Sequence, residues 1–104
     1  MYKIRYLPLA LYDLKEIVSY IANKLEAPRA AERLAMKINR EIKKIAENPF
    51  RRPLYVSPEK LKYEYRVLRI SNYSLFYVIE NNNIEVHRII YSHRDIPQIL
   101  TGEA

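Results

Sequence analysis

Arginine, histidine and tyrosine side chains punctuate the apolar runs between residues 65 and 95. This stretch reads YRVLRISNYSLFYVIENNNIEVHRIIYSHRD. Guanidinium groups bind phosphate in a bidentate geometry, imidazole moves protons near neutral pH, and tyrosine rings stack on single-stranded bases. Metal-free cleavage of RNA needs charge stabilisation at phosphorus together with proton transfer to and from oxygen. These residue types therefore predict a working surface on a sheet, one that contacts phosphate or an acidic protein.

Arg94 is the first candidate for that surface, since it directly follows the last apolar run. A guanidinium at the rim of a sheet avoids the cost of burying a charge. The other candidate catalytic residues are Arg66, His87, Tyr91 and His93. Strand alternation directs Arg88 to one face of the sheet and His87 and Tyr91 to the other. The three residues can therefore share one site only if a bulge interrupts the alternation. The candidate RNA-binding or target-binding residues are Arg51, Arg52, Lys60, Lys62, Arg69 and Arg88.

Ordinary structural roles compete with each of these assignments. Arg66 and Arg88 are placed to pair with Glu64 or Glu85 on the strands. The remaining candidates have equally plain alternatives: His87 as a surface histidine, Tyr91 as a packing residue, and Arg94 as the partner of Asp95 in a turn.

Length and charge set the class of protein and the class of partner. The chain has 104 residues, 49% of them hydrophobic, which predicts one domain over residues 1–104 with a single core. Its formal net charge is +6, which favours an anionic partner such as nucleic acid, an acidic protein or a membrane surface. The alternative is that the charge serves only solubility.

Several kinds of site are missing from the composition. The single glycine, Gly102, cannot build a glycine-rich phosphate loop, so P-loop and dinucleotide sites are excluded. Cysteine is absent and only two histidines occur, so we expect neither a metal site nor any other cofactor. The apolar patch near the N-terminus, interrupted by Pro8, is too short for a signal peptide or a membrane span. A cytoplasmic, soluble protein with no membrane partner is expected.

The first half of the chain predicts a strand followed by two helices. Residues 2–7 alternate as a strand does, and Pro8 suits the first turn of a helix. The break lies at residues 23–28, and Pro28 begins a second helix that ends at Asn48 before Pro49. The predicted apolar stripes are Leu11, Leu14, Val18, Ile21 and Leu25 on the first helix, and Ala31, Leu34, Ile38, Ile42 and Ile45 on the second. Six basic residues against three acidic ones occupy the other face of the second helix.

The second half predicts a loop over residues 50–61 and three strands over residues 62–70, 73–80 and 84–91. Ser71-Asn72 and Asn81-Asn82-Asn83 are the turns, with asparagine tolerating positive φ. The fold class is therefore α+β, a small β-α-α-β-β-β domain whose helix hairpin packs on one face of a twisted, largely antiparallel sheet. Because the middle strand is apolar on both faces, the tail, the loop or a partner protein must cover the second face. The tail after Asp95 is expected to add a short turn of helix.

This order of elements resembles the RelE/ParE family, the toxins of type II toxin–antitoxin pairs. The resemblance lies in the run from Ala10 to Ile21, the helix closed by Asn48-Pro49, the stretch YRVLRISNYSLFYVI and the closing IIYSHRDI. It implies a growth-inhibiting toxin bound by a cognate antitoxin, with a toxin–antitoxin hetero-oligomer as one expected form.

The family resemblance also implies two classes of target. RelE-like members cut messenger RNA on the ribosome, whereas ParE-like members inhibit DNA gyrase. Arg94 matches the family's arginine after the last strand, and Arg66 lies where the ribonucleases carry a base. Ser74 and Leu100 depart from the nuclease pattern, which often has an arginine at the first position and a catalytic tyrosine or other ring at the second.

The interpretation therefore favours a gyrase-directed toxin slightly over a ribosome-dependent endoribonuclease. A non-toxic nucleic-acid-binding module that uses the basic face of the second helix is a further alternative, as is a family member that has lost its toxicity.

Overall fold

The computed structural model describes residues 2–102 and has the predicted α+β architecture. Its strands are β1 (Lys3–Tyr6), β2 (Arg66–Ile70), β3 (Tyr73–Glu80) and β4 (Asn83–Tyr91), and its helices are α1 (Pro8–Ser19), α2 (Pro28–Glu47) and α3 (Ile96–Thr101). A π-helical turn (Tyr20–Lys24) extends α1, and a 3-10 turn (Pro49–Arg51) follows α2. The order of helices and strands is the predicted one, with the expected short helix in the tail.

One sheet carries the strands in the order β1-β4-β3-β2. The last three strands form the predicted antiparallel meander, and β1 pairs in parallel with β4. The first strand of the meander begins at Arg66 and not at residue 62. Tyr65 instead accepts a backbone hydrogen bond from Tyr55 at 2.8 Å, so residues 62–65 belong to the loop that crosses the sheet.

Both hairpin turns form where they are predicted, and only the first turn has an unexpected residue in the left-handed region. Ser71 has φ 52° and Asn81 has φ 55°, whereas Asn72 was expected to take the positive φ of the first turn. Asn83 belongs to β4, so the second turn is Asn81-Asn82. Both turns form without glycine, which has the least steric cost at positive φ.

The α1–α2 hairpin covers one face of the sheet, called the helix face here. The predicted α2 stripe is buried, but the predicted α1 stripe is only partly correct: Leu14 and Ile21 pack on the core, whereas Leu11 and Leu25 do not. Leu11 and Leu25 are each 54% exposed. Asp13 faces β4 and sets the rotation of α1, while the π-helical turn shifts the phase before Leu25. The α1 residues that pack on the core are Ala10, Leu14, Ile17 and Ile21.

The loop before β2 and helix α3 cover the other face of the sheet, called the tail face here. Phe76 and Val78 of β3 pack there against Tyr65, Ile96 and Leu100. Tail and loop therefore supply the cover that the two-sided apolar strand required. Within residues 2–102, no helix has the length and apolarity needed to cross a membrane.

Candidate target-binding site

A β-bulge in β4 decides which candidate residues share a surface. Phe76 pairs with Arg88 while Tyr77 pairs with Val86, so His87 has no residue directly opposite it. A bulge of this kind turns the following side chains relative to strict alternation. A bulge is therefore present, but it does not bring all the candidates into one site: it divides them between the two faces of the sheet.

Asp13 of α1 holds the strand just after the bulge. Its carboxylate accepts hydrogen bonds from Arg88 Nε at 2.7 Å, from Arg88 Nη2 at 3.0 Å and from the Ile89 backbone N–H at 2.9 Å. Asp13 is buried, and the paired guanidinium satisfies it in the fork-to-fork geometry that suits arginine. The expected pairing of Arg88 with Glu64 or Glu85 is therefore wrong.

An open cleft of about 520 Å³ lies between α1 and the end of β4, and we call it the Arg94 cleft. Tyr91 meets Tyr73 edge to face at 5.8 Å between ring centroids and lies 5.2 Å from His93. The Arg94 backbone N–H donates to the Tyr91 carbonyl at 3.0 Å, which fixes the turn after β4. The side chains that line the cleft are those of Tyr12, Asp13, Glu16, Ile17, Tyr20, Tyr73, Arg88, Ile89, Ile90, Tyr91 and Arg94.

The Arg94 cleft presents one exposed guanidinium among phenol rings. Asp95 caps α3 by accepting from the Gln98 N–H at 3.3 Å, and no ion pair between it and Arg94 occurs within residues 2–102. Burial, followed by the neighbouring Tyr91 and Tyr20, raises the pKa of Tyr73. Its phenol is therefore neutral at physiological pH and keeps a proton to donate.

His87 lies on the tail face, apart from the Arg94 cleft. Its ring is buried between Tyr63 and Tyr65, with centroid distances of 4.7 Å and 5.3 Å. The Tyr65 hydroxyl lies 3.3 Å from Nδ1, and Glu85 lies 3.6 Å from Nε2. This burial contradicts the interpretation as a surface histidine, and it separates His87 from Tyr91, His93 and Arg94.

Arg66 lies at a third place, the corner where α2 meets β2. Its Nη1 donates to the Arg52 carbonyl at 2.6 Å and to the Phe50 carbonyl at 3.2 Å, and its guanidinium lies 5.2 Å from the Phe50 ring centroid. The Tyr77 hydroxyl donates to the Pro49 carbonyl at 2.6 Å beside it. We call these five residues the Arg66 corner. The expected pairing of Arg66 with a strand glutamate is wrong, because backbone carbonyls take its donors.

The other basic candidates are spread over several surfaces. Arg51 and Lys60 are exposed, and Arg52 lies 3.9 Å from Glu41. Lys62 belongs to the loop, where its ammonium lies 5.5 Å from the Tyr63 ring centroid. Arg69 is exposed on β2, an edge strand of the sheet. None of these five residues is among the described residues that line the Arg94 cleft.

Sequence reasoning missed Asp13, Tyr12, Glu16 and Tyr20 as residues of the cleft. The candidate residues derived from the sequence did not include Asp13. Its position among apolar residues was the available signal, since a buried carboxylate requires partners. Tyr12 and Glu16 are exposed on α1 and Tyr20 is exposed at the start of the π-helical turn, and no comparable signal in the sequence marked these three residues.

Ser74 is buried on β3, and its hydroxyl lies 2.8 Å from that of Ser92. It therefore presents no cation where ribonuclease members often carry one. In the part of the chain that the structure describes, no three histidine, aspartate or glutamate side chains cluster as a metal site would require.

Comparison with known protein families identifies the family of this chain. The model of the ParE toxin of the type II toxin–antitoxin system parDE matches residues 4–96. The chain belongs to the ParE toxin family. A comparison with curated proteins found no match.

Solved structures of three related systems share the fold of this ParE-family chain. A chain of the chromosomal ParDE toxin–antitoxin system from P. aeruginosa superposes with a TM-score of 0.71 at 18% identity, covering 88% of this chain and 96% of that one. The YoeB dimer from Staphylococcus aureus superposes with a TM-score of 0.58 at 21% identity, covering 86% of this chain and 95% of that one. YafQ from E. coli strain BL21(DE3) superposes with a TM-score of 0.52 at 17% identity, covering 88% of this chain and 93% of that one. The predicted fold class and family are confirmed.

Proposed function

We propose that this toxin inhibits DNA gyrase by binding it through the Arg94 cleft, without cutting RNA. The separation of the residues that RNA cleavage would combine carries the proposal. Arg66 is held by backbone carbonyls, His87 is buried on the tail face, and Arg94 lies with Tyr91 at the cleft. General acid–base catalysis needs its groups within hydrogen-bond reach of one substrate.

The cleft has the features of a protein-binding surface. Tyrosine and arginine are the residues that most often carry binding energy at protein interfaces. Tyr12, Tyr20 and Tyr91 are 60%, 52% and 43% exposed, so a partner would bury large ring surfaces. Arg94 would supply a charged hydrogen bond at their edge.

A ribosome-dependent endoribonuclease is the second candidate function. It is favoured by the proximity of Tyr91, His93 and Arg94, which would offer a stacking ring, a proton carrier and a phosphate ligand. A metal-independent reaction would then rest on these three residues. A plain nucleic-acid-binding module is the third, supported by the basic face of α2.

Two assays on the purified chain separate these functions. We expect inhibition of gyrase supercoiling at stoichiometric amounts, together with intact message on ribosomes in a primer-extension assay. Cleaved message with active gyrase would instead establish the ribonuclease. Nucleic-acid binding that weakens steeply with salt, without growth arrest, would establish the third function.

We further propose that a cognate antitoxin neutralises the toxin in a cytoplasmic hetero-oligomer. Family membership in a type II toxin–antitoxin system supports this partner. Induced expression of the chain alone should arrest bacterial growth, and co-expression of the protein from the neighbouring reading frame should restore it. Normal growth at verified soluble expression across several hosts would contradict an active toxin.

A further inference from the structure

Among the described residues, Glu16 and Arg94 are the charged groups of the Arg94 cleft that have no ion-pair partner. Asp13 and Arg88 also line the cleft, but they pair with each other through hydrogen bonds of 2.7 Å and 3.0 Å. Glu16 and Arg94 are both exposed, and they belong to no ion pair in that part of the chain. The cleft therefore offers a partner a carboxylate and a guanidinium that are both in contact with water.

These two charges lie on different walls of the cleft. Glu16 belongs to α1, which forms one wall, whereas Arg94 belongs to the turn that follows β4 on the other wall. The two side chains do not pair with each other within residues 2–102. A segment bound in the cleft therefore meets a negative charge on one side and a positive charge on the other.

Two exposed phenol rings flank Glu16 along the α1 wall. Tyr12 and Tyr20 are four residues before and after it, and Tyr20 keeps helical backbone angles, so the three side chains form one row. Both rings line the same cleft. A carboxylate between two aromatic rings suits a cationic side chain, because the cation gains a charged hydrogen bond together with cation–π contacts.

The opposite charges of the cleft discriminate between classes of partner. A nucleic-acid backbone carries a negative charge at every phosphate, so it would pair with Arg94 but would be repelled by Glu16. A wholly basic segment would be repelled by Arg94 in the same way. A protein segment with one basic and one acidic side chain matches both walls, and its apolar parts can cover the exposed rings.

We infer that Glu16 is a specificity-determining residue that binds a basic side chain of the target. The inference rests on the proposed function and names the chemistry of the gyrase segment that the cleft takes. A lysine or arginine of that segment pairs with Glu16 between Tyr12 and Tyr20, and a carboxylate of the same segment pairs with Arg94. The two charges thereby fix the direction in which the segment lies in the cleft.

Charge reversal at Glu16 tests the inference against a matched control. Glu16→Lys reverses the charge and Glu16→Gln removes it at nearly constant size. Glu32→Lys makes the same reversal at an exposed position of α2 that does not line the cleft. The concentration of purified chain that half-inhibits gyrase supercoiling is measured for each variant, with thermal unfolding as the check on folding.

We expect Glu16→Lys to raise the half-inhibitory concentration by at least about tenfold, because like charges brought together across an interface oppose binding. Glu16→Gln should raise it by about threefold, since the amide keeps a hydrogen bond but loses the charge. Tyr20→Leu should raise it by about threefold through loss of the ring that contacts the cation. Glu32→Lys should inhibit gyrase as the wild-type chain does.

Three results would overturn the inference. Unchanged inhibition by folded Glu16→Lys and Glu16→Gln chains, with the wild type active, would remove Glu16 from the interface and leave the proposed function standing. Stronger inhibition by Glu16→Lys would show that the α1 wall meets an anion, either an acidic side chain or a phosphate of DNA held by gyrase. Failure of the wild-type chain to inhibit gyrase would overturn both the inference and the proposed function.

Discussion

Arg66 and Arg94 are both candidate catalytic residues in the sequence, but they have different surroundings in the fold. Arg66 is half-buried in the Arg66 corner, where two backbone carbonyls and an aromatic ring take up its guanidinium. Arg94 is exposed at the rim of the Arg94 cleft, where phenol rings surround it. An arginine that completes buried hydrogen bonds stabilises the fold, whereas one that keeps its donors in water is available to a partner. The comparison predicts that stability and toxicity respond to different residues.

The largest effect on stability is expected from Asp13→Ala. Truncation removes the buried carboxylate that accepts from Arg88 and from the Ile89 N–H, which should lower the free energy of unfolding by about 3 kcal/mol. Urea unfolding measures it. Glu16→Ala, a neighbouring cleft carboxylate, is the control and should change stability by less than about 0.5 kcal/mol. A loss below about 1 kcal/mol in Asp13→Ala would contradict this account of the bulge.

High pH should weaken the Arg66 corner through Tyr77. Burial raises the pKa of Tyr77 to about 12, because desolvation penalises the phenolate. The folded state thus favours the neutral phenol, so its contribution is complete below about pH 10 and is lost as pH rises toward 12. A rise of this size in the pKa of Tyr77 corresponds to roughly 2–3 kcal/mol in the free energy of unfolding.

Tyr77→Phe isolates that contribution. The variant should lose about 1–3 kcal/mol at neutral pH, since the buried Pro49 carbonyl loses its donor. It should also lose less stability than the wild-type chain between pH 10 and pH 12. Urea unfolding across that range measures both effects, with the exposed Tyr12→Phe as the control. Parallel pH profiles for Tyr77→Phe and the wild type would contradict the prediction.

Arg66→Met should lower stability by about 1–2 kcal/mol while preserving toxicity. Methionine retains much of the side-chain volume, but the carbonyls of Phe50 and Arg52 lose their charged donor. Thermal unfolding and the inducer concentration that arrests growth are measured on the same soluble variant. If the Arg66→Met variant no longer arrested growth but kept its stability, Arg66 would belong to the target-binding surface instead.

Arg94→Ala is expected to have the smallest effect on stability and the clearest effect on function. An exposed arginine outside any described ion pair contributes within about 0.5 kcal/mol to folding. Because we propose that Arg94 makes a charged hydrogen bond to the target, its loss should cost about 2 kcal/mol of binding free energy, or roughly thirtyfold in affinity. Gyrase inhibition by the purified variant measures this, with exposed Arg51→Ala as the control. Unchanged inhibition by a folded Arg94→Ala chain would remove the residue from the site.

The short-range patterns of the chain determined most of the fold. The buried stripe of α2, the bounds of β3 and both turns follow from spacings of three, four and two residues within single segments. Apolar residues on both faces of β3 also required the second cover that α3 and the loop provide. Such features depend on neighbours a few positions away, which the sequence displays directly.

Only the tertiary structure decided which polar candidates remain available. Asp13 and Arg88 are 75 positions apart, and their pairing depends on a bulge that no spacing in the sequence displays. The same holds for the two carbonyls that bind Arg66 and for the rings that enclose His87. The sequence identifies which side chains can do chemistry, but a guanidinium or imidazole is available to a partner only where the closed fold leaves its hydrogen-bonding groups in water.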